Sequence, residues 1–525
     1  MLGVLVPLPV LLPLIGAGIT LMLSGRRRGQ TAVTVATLAI VLAIDLVLLF
    51  GVDSRGTQVV AVGGWELPFG IALAVDRLSA VMLVVSAIVT LLVLVYAAGQ
   101  EMADTANETP VSVFNPTYLI LCAGVAAAFI AGDLFNLYVG FEMLLGASYV
   151  LLTLGATAQR IRAGVTYIVI SLVSSLIFLM GIGFVFAATG TVNIAQLSVR
   201  IGELPEDIQL ILHVTLLIAF GIKAAVFPLA FWLPDSYPTA PAPVTAVFAG
   251  LLTKVGIYAI IRTETVLFAE SNLRTPLLVV GALTMIVGIL GAIAQSEIKR
   301  LLSFTLISHI GYMIFGVAMG TVEGLTAAIF YTVHHIIVQS ALFLAIGLVE
   351  QRNGTTSIRK LGGLAVLAPG LSMLFFIPAL NLAGIPPFSG FIGKAALFQA
   401  GFETRDWLIF VLVAAGALTS LLTLYVIGKT WNLAFWRDPD DAEEPTEDLV
   451  EEFEERKAAL ADGQRWQGTQ TMPRTMIVSA TLMVAVSVLV TVFAGTIWDI
   501  SARAAENLRS PSTYVSSVLG EEAGS

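Results

Sequence analysis

Long apolar runs constrain the fold of this chain more than any other feature. A helix that crosses the hydrocarbon core of a membrane needs about 20 apolar residues, and runs of that length recur about fourteen times along the 525 residues. Charged residues make up only 12% of the chain, against about 25% in soluble globular proteins. The alternating pattern of a membrane β-barrel is missing. The sequence therefore predicts an all-α polytopic membrane protein. The runs lie near 2–23, 31–51, 76–98, 115–131, 133–157, 163–188, 208–233, 242–262, 275–295, 300–319, 324–349, 369–400, 407–432 and 476–497.

The charges between these runs predict the orientation of the chain. Basic residues favour cytoplasmic loops, and most bases fall in loops that share a side with the first one. The first loop should therefore be cytoplasmic, and both termini should lie outside. The net charge of −9 comes from a single loop, since residues 438–462 hold twelve acids and two bases. The bases that set the orientation are Arg26, Arg27, Arg28, Arg160, Arg162, Lys299, Arg300, Arg352, Arg359 and Lys360.

Two loops carry further signals. The acidic loop at 437–465 contains an amphipathic stretch near 446–461, which is either a solvated linker helix or a docking surface for a partner subunit. The stretch "GVDSRGTQVVAVGGWELPFG" at 51–70 combines a β-like run with two adjacent glycines. It predicts a hairpin on the external side.

Two of the long runs are interrupted by helix breakers. The stretch "AFGIKAAVFPLAFWLPDSYP" at 219–238 begins in the seventh run and extends just past its end, and the twelfth run contains "NLAGIPPFSGFIGKAALF" at 381–398. Proline removes a backbone hydrogen bond and clashes with the preceding turn. In a membrane, the freed carbonyl groups are tolerated only inside the protein or beside water. Paired broken helices are typical of inverted repeats with an ion path near the middle of the membrane.

These breaks suggest how the chain is organised. Two inverted five-helix repeats, at about 115–262 and 275–432, would each place a broken helix fourth. The resulting division is an N-terminal three-helix segment at 1–114, a first repeat at 115–262, a second at 263–432, the acidic cytoplasmic loop at 433–475, and a last helix with an external tail at 476–525.

Four ionisable residues lie well inside apolar runs: Glu142, Lys223, Lys254 and Lys394. Each costs at least ~2.5 kcal/mol at the centre of a bilayer. A lysine and a glutamate that pair and separate can capture and release a proton, because the charged form of each is stabilised only while the pair is closed. We therefore interpret these residues as a proton relay. The alternative, a fixed salt bridge between helices, would leave two lysines unpaired.

Other polar residues in the runs are weaker candidates. His335 is the preferred additional relay member, because imidazole accepts and donates protons, and His309 and His334 are further candidates. A neutral histidine satisfied by one neighbour is the alternative for each. Adjacent His334 and His335 point about 100° apart on a helix, which argues against a metal site. Asp133 is either a helix N-cap or a site of proton uptake.

Three more residues have simpler interpretations. His213, near the outer end of its run, could serve a proton exit. Asp45 is interpreted as a contact with another subunit or with another helix. Cys122, the single cysteine, is interpreted as a buried apolar side chain.

Several motifs are missing from the sequence. It holds no Walker A motif, no dinucleotide-binding glycine pattern and no cysteine cluster. We therefore expect no cofactor, no metal and no nucleic-acid partner. Energy would come from an ion gradient or from partner subunits.

Four ordered motifs resemble one known family. The stretches "FNLYVGFEMLLGASYVLL", "GIKAAVFPLAFWLPDSYPTAPAPVTAVFAGLLTKVGIYAIIR", "SEIKRLLSFTLISHIGYM" and "LAGIPPFSGFIGK" are similar to the antiporter-like subunits shared by Mrp-type multisubunit Na+/H+ antiporters and respiratory complex I. The similarity covers most of 70–430 and is strongest to the D-type subunits of the Mrp antiporters. It implies fourteen helices, two inverted repeats, and broken seventh and twelfth helices.

The resemblance also implies roles for residues. Glu142 and Lys223 would form a pair, Lys254 would be the central proton carrier, and Lys394 the carrier in the twelfth helix. Several relatives have a lysine in the eleventh helix where this chain has Gln339. His335 and water would have to replace that lysine.

The expected function is proton translocation in a multisubunit cation/proton antiporter of the bacterial plasma membrane, rather than enzymatic catalysis. Expected partners are a large A-type subunit, small membrane subunits, the lipid bilayer, H+ and Na+, or another alkali cation such as K+ or Li+. Two alternatives remain open. One is a proton-pumping subunit of a redox complex, either an NADH–quinone reductase or a membrane-bound hydrogenase. The other is a scaffold that does not transport.

Overall fold

A computed structural model describes residues 2–100, 113–155, 157–269, 273–462 and 472–520. These residues form a helical membrane protein with one small antiparallel ladder. Within them, twelve helical segments are long and apolar enough to cross a membrane, and two shorter apolar helices accompany them. All fourteen apolar runs of the sequence therefore contain helix. In two of the runs, the helices Phe114–Ile130 and Pro369–Ala383 are shorter than a usual membrane span.

The helices of the first half begin with a short 3-10 turn at Leu2–Leu5. They are α1 (Leu8–Met22), α2 (Arg27–Arg55), α3 (Arg77–Gly99), α4 (Phe114–Ile130), α5 (Leu134–Thr153), α6 (Ala158–Thr189), α7 (Ile194–Arg200), α8 (Glu206–Ala224), α9 (Trp232–Ser236) and α10 (Ala242–Leu267). Two turns of α10 are π-helical, at Phe248–Leu252 and Thr263–Leu267.

The second half continues with further helices and ends in polar ones. They are α11 (Arg274–Ile293), α12 (Ile298–Ala318), α13 (Val322–Asn353), α14 (Leu364–Leu367), α15 (Pro369–Ala383), α16 (Ser389–Glu403), α17 (Trp407–Trp436), α18 (Glu447–Ala461), α19 (Arg474–Val492), α20 (Ala494–Arg509) and α21 (Ser512–Leu519). The central helices α10, α12 and α13 are buried almost throughout, whereas α1, α2, α6, α11, α17 and α19 expose apolar faces to the surroundings.

Both predicted breaks are present. Helix α8 ends at Ala224, and the chain passes Pro228 before α9 begins at Trp232. Helix α15 ends at Ala383, and the chain passes Pro386 and Pro387 before α16 begins. The breaks could be located from the sequence because proline and glycine act on the backbone locally.

The predicted hairpin at 51–70 needs correction. Helix α2 continues to Arg55, because it contains no proline and ends only at Gly56. Strand β1 (Gln58–Ala61) pairs with β2 (Ala72–Val75), which lies beyond the predicted range. The ladder thus joins α2 to α3 through a longer connection than expected.

The acidic segment folds onto its own chain. Helix α18 buries Leu449 and Phe453 in a small apolar cluster with Leu367 of α14. Glu452 of α18 accepts a hydrogen bond from Arg352 at 2.8 Å, and Arg352 is almost fully buried. The helix is therefore docked rather than solvated all round, although its remaining acidic face stays exposed.

Candidate functional site

Lys223 lies in the last turn of α8, next to the first break. Ala225 adopts a left-handed conformation (φ 57°) that ends the helix, and the amide of Val226 bonds back to the carbonyl of Gly221. The indole of Trp232, from the far side of the break, donates to the carbonyl of Ile222 at 3.1 Å. The break therefore satisfies its own carbonyls and places a lysine at the negative end of the helix dipole.

The Lys223 ammonium does not form an ion pair with Glu142. It donates to the Ser175 hydroxyl of α6 at 3.1 Å and lies 4.8 Å from the centre of the Phe141 ring. Within the described residues, Oε1 of Glu142 is buried and has no hydrogen-bond partner, while Glu142 still acts on Lys223 through its charge. The pair implied by the resemblance is thus open, because Ser175 holds the ammonium.

A small cavity adjoins Lys223. The space open to the centre of a water molecule is about 20 Å³, enough for about one water. Hydroxyls of Ser171, Ser174 and Tyr167 line it together with apolar side chains. The three hydroxyls belong to α6, so the cavity beside Lys223 is polar on the side of that helix and mainly apolar elsewhere.

Lys254 is fully buried in α10, two residues after the end of the first π-helical turn. Its ammonium donates to the carbonyl of Ala249 within that turn at 2.6 Å. A π-turn widens the helix and disturbs the regular bonding of its carbonyls, and such turns are frequent at functional sites. No pattern in the sequence indicated this turn, which provides the oxygen that Lys254 needs.

Lys394 in α16 binds the open end of the preceding half-helix. Its ammonium donates to the carbonyls of Leu382 and Ala383 at 3.0 and 2.9 Å, and to the Ser420 hydroxyl of α17 at 3.1 Å. The last carbonyls of a helix have no partner within it. Lys394, which follows the break, therefore caps the end of α15, which precedes the break.

The three histidines form one buried cluster. The rings of His309 (α12) and His335 (α13) are 5.2 Å apart between centres, and Nδ1 of His309 is 2.7 Å from the Tyr331 hydroxyl. Nδ1 of His334 is 2.9 Å from the hydroxyl of Ser389, which begins α16. Among the described residues, neither ring nitrogen of His335 has a hydrogen-bond partner.

This cluster lies near two of the lysines. The charges of Lys254 and Lys394 both act on His309 and His335. Tyr312 has its ring centre 5.4 Å from that of Tyr331 and 5.3 Å from the Lys394 ammonium. The two tyrosines were not among the residues singled out from the sequence, although hydroxyls inside spans are a usable signal.

Gln339 occupies the position where several relatives carry a lysine. Its amide donates to the carbonyl of Leu302 at 2.8 Å, and within the described residues its Oε1 has no partner. It is fully buried in α13, one turn beyond His335. The side chain is thus fixed to α12 rather than directed to a lysine.

Asp133 is an N-cap. Its carboxylate accepts from the amide of Asn136 at 2.6 Å at the start of α5. Burial raises the pKa of Asp133, and backbone N–H groups offset only part of that rise. The structure therefore supports the capping interpretation.

The structure shows two paired carboxylates at the ends of spans that were not singled out from the sequence. Glu264, in the second π-turn of α10, lies 2.5 Å from Nε2 of His213, whose ring stacks on Phe268. Asp76 caps α3 and pairs with the buried Arg262 of α10 at 2.6 Å. His213 therefore belongs to a pair that sequence reasoning did not foresee.

A wide polar cavity opens at one end of the helices. It measures about 810 Å³ and is bounded by loops that the charge pattern assigns to the cytoplasm. Lys299 and Glu350 form an ion pair of 2.5 Å in its wall, and Arg160, Asp235 and Arg300 also line it. No group of three or more His, Cys, Asp or Glu residues arranged to bind a metal occurs in the described ranges.

Comparison with known proteins adds independent information. Residues 131–423 match the family model described as "NADH:quinone oxidoreductase/Mrp antiporter, TM", and residues 60–99 match "NADH-Ubiquinone oxidoreductase (complex I), chain 5 N-terminus". The chain is 37% identical over 520 residues to the D-type Na+/H+ antiporter subunit of Alkalihalophilus pseudofirmus, covering 98% of this chain and 99% of the relative.

Solved structures are similar over the same length. A chain of the Mrp complex from Dietzia sp. DQ12-45-1b superposes with a TM-score of 0.87 at 33% identity, covering 99% of this chain and all of that one. A chain of the membrane-bound sulfane sulfur reductase, an archaeal respiratory membrane complex, superposes with a TM-score of 0.84 at 25% identity, covering 98% of this chain and 99% of that one.

Proposed function

The chain belongs to the family of antiporter-like subunits shared by Mrp antiporters and NADH:quinone oxidoreductase, and from this we propose that it is a D-type subunit of a multisubunit cation/proton antiporter. It is a transporter subunit rather than an enzyme, and it works in a complex with other Mrp subunits in the plasma membrane of a bacterium. Its relatives exchange Na+ for H+ by name.

The relay is our proposal for how protons cross. Protons would pass from Glu142 and Lys223 to Lys254, then through the histidines to Lys394. One observation carries this proposal: within the described residues, none of the three lysine ammonium groups has a carboxylate within 4.0 Å, and each is held by neutral oxygens instead. A buried ammonium without a counterion readily gives up its proton when a nearby charge changes.

The histidine cluster supports the middle of this route. His309, His335 and Tyr331 lie close to one another, and the charges of Lys254 and Lys394 both act on the two histidines. Each of the three side chains can accept or donate a proton. Opening and closing of the Glu142–Lys223 pair would change the charge that the next lysine experiences. Gln339 takes no proton in this scheme.

Several features of the overall arrangement belong to the same proposal. We propose fourteen spans, with α4 and the broken α15–α16 counted among them, and two inverted five-helix repeats at about 115–262 and 275–432. Both breaks carry a lysine, at Lys223 and Lys394, which supports the repeat. Both termini would lie outside.

The test is Na+-induced collapse of ΔpH in everted vesicles from cells that lack other antiporters and express the whole gene cluster. Lys223→Ala, Glu142→Ala and Lys394→Ala should each abolish antiport while the complex still assembles, as measured by co-purification of the other subunits. Lys429→Ala is the matched control. Lys429 lies near the end of α17 and donates to the carbonyl of Ile293 at the end of α11, and it is not one of the proposed relay residues. Wild-type transport by any of the first three variants would refute the relay.

A redox-driven proton pump is the second candidate, and the similarity to a chain of an archaeal respiratory complex favours keeping it. This candidate would be supported if Na+ does not collapse ΔpH in the vesicles but a reductant drives proton uptake. Lys223→Ala would then block proton uptake instead of antiport.

A further inference from the structure

A second buried carboxyl lies outside the relay, in the N-terminal bundle. Asp45 of α2 lines a cavity between α1, α2, α3 and α4 in which the space open to the centre of a water molecule is about 20 Å³. Pro9, Ser86, Thr90 and Cys122 line the same cavity. Asp45 is ten residues from the end of α2, which places it about 15 Å along the helix from that end.

This carboxyl is buried inside the chain. Asp45 is 1% exposed, and within the described residues its Oδ1 has no hydrogen-bond partner. The two roles expected from the sequence therefore do not apply to this oxygen: it is too deep for a partner subunit to reach, and it forms no bond to another helix. Burying an unpaired carboxylate is costly, so an ionisable residue here points to function.

The neighbouring hydroxyls cannot donate a hydrogen bond to the Asp45 carboxylate. Ser86 donates its hydrogen to the carbonyls of Met82 and Leu83, and Thr90 donates to those of Ser86 and Ala87. A hydroxyl has a single hydrogen to donate. Both groups therefore present only lone pairs to the cavity, which repel an anion and attract a cation.

Helix α1 offers a backbone carbonyl that lacks its usual partner. Pro13 lies inside α1 and has no N–H to bind the carbonyl of Pro9, one turn earlier. Pro9 and Pro13 both line the cavity. Backbone carbonyls released in this way are known ligands of Na+ and H+ in transporters built from interrupted helices.

We propose that Asp45, with the oxygens of Ser86, Thr90 and Pro9, forms a binding site for a small alkali cation such as Na+ or Li+. The ligands are all oxygens, which hard cations prefer, and the cavity holds about one water-sized species. Binding is an exchange: the carboxylic acid of Asp45 loses its proton as the cation arrives, and regains it as the cation leaves. The site's part in transport rests on the proposed antiport function, whereas cation binding does not.

The exchange makes the site sensitive to pH. Among the residues that line the cavity from the four helices, Cys122 is the only other titratable group, and none carries a positive charge. Protons and the cation therefore compete for a single carboxyl. The Na+ concentration for half-maximal antiport should rise as the pH falls.

The first experiment measures this concentration in everted vesicles across a pH series. Asp45→Asn, which keeps the size but removes the charge, should raise it at least about tenfold and abolish its pH dependence. Asp45→Glu should restore part of the affinity. Asp207→Asn is the matched control, because it makes the same chemical change at an exposed position near the start of α8. An unchanged Na+ requirement in Asp45→Asn would overturn the proposal.

A second experiment does not depend on transport. Infrared difference spectra of the purified complex, recorded on addition of NaCl, should show loss of a protonated carboxyl band in the wild type and in Asp207→Asn, but not in Asp45→Asn. Equal bands in all three would overturn the site even if antiport is normal. Conversely, the complex could show the Asp45-dependent loss of the carboxyl band but no antiport activity. That result would support the cation site and refute only the proposed function.

Discussion

The lysines in the membrane interior show how a single charged side chain is accommodated. Lys223 binds a hydroxyl, Lys254 a carbonyl in a π-turn, and Lys394 two carbonyls at a helix end. In each case a neutral oxygen accepts a hydrogen bond from the ammonium. Unlike a carboxylate, it does not hold the lysine strongly in its protonated form. Such an arrangement would suit the proton release that we propose for these lysines, because no counterion would have to be separated from them.

The Tyr331 hydroxyl is the direct link from α13 to His309. Tyr331→Phe removes this hydrogen bond but keeps the ring, and should slow antiport about five- to tenfold, as expected for about 1–1.4 kcal/mol. Initial rates of ΔpH collapse measure the effect. Tyr96→Phe is the control, since its buried hydroxyl binds the carbonyl of Leu344 outside the histidine cluster. Equal rates in the two variants would exclude Tyr331 from the route.

At the scale of elements, the second break depends on one glycine. Gly384 has a φ of 84°, and a Cβ added there would lie 3.0 Å from Cδ and 3.1 Å from Nζ of Lys394. A left-handed conformation costs a residue with a side chain about 1–2 kcal/mol. The glycine thus lets the lysine approach the open end of α15.

Gly384→Ala should therefore displace Lys394 and reduce antiport more than about tenfold. Gly354→Ala is a close control, because Gly354 also ends a helix with a positive φ (66°) but has open space around it. Both variants bear the same backbone cost, measured by thermal unfolding of the complex. Equal antiport in the two would contradict the role assigned to the contact with Lys394.

The Asp76–Arg262 pair joins α3 to α10. Burial by itself would raise the pKa of Asp76, but the charge and hydrogen bonds of Arg262 and the bonds from Ser79 lower it overall. Asp76→Asn keeps a capping side chain and leaves Arg262 without a counterion, so it should cost about 3–5 kcal/mol. Asp406→Asn, at another helix cap with an exposed partner, should cost less than about 1 kcal/mol.

The pH dependence of this loss has a definite sign. A carboxyl with a lowered folded-state pKa contributes stability above its unfolded pKa of about 3.9, and loses it as the pH falls through the folded value. The difference in melting temperature between wild type and Asp76→Asn should therefore be full at neutral pH and shrink below about pH 4. A constant difference throughout would show that the pair is not ionic.

For the whole molecule, chemical labelling can establish the orientation in the membrane. The native Cys122 is buried in α4, so cysteines introduced elsewhere report without interference. A membrane-impermeant maleimide should label Thr513→Cys in intact cells, and Ser24→Cys only after permeabilisation, because the basic first loop favours the cytoplasm. The reverse pattern would invert the proposed topology and place the polar cavity lined by Lys299 and Glu350 outside.

The sequence by itself determined the helical membrane architecture, both breaks and the positions of the buried charges. These follow from hydrophobic length, from proline and glycine, and from the cost of a charge in lipid, all of which act within a short stretch of chain. It placed the hairpin wrongly, because β1 pairs with a strand at Ala72–Val75, and the choice of a strand's partner is not set by the local sequence.

Only the tertiary structure decided which atoms the charges meet. Ser175 is 48 residues from Lys223, and Tyr331 is 22 from His309, so no local pattern could pair them. The same holds for Asp45, whose surroundings come from four helices. Helix packing, rather than sequence spacing, sets these contacts, because side chains on different helices meet only after the bundle has formed.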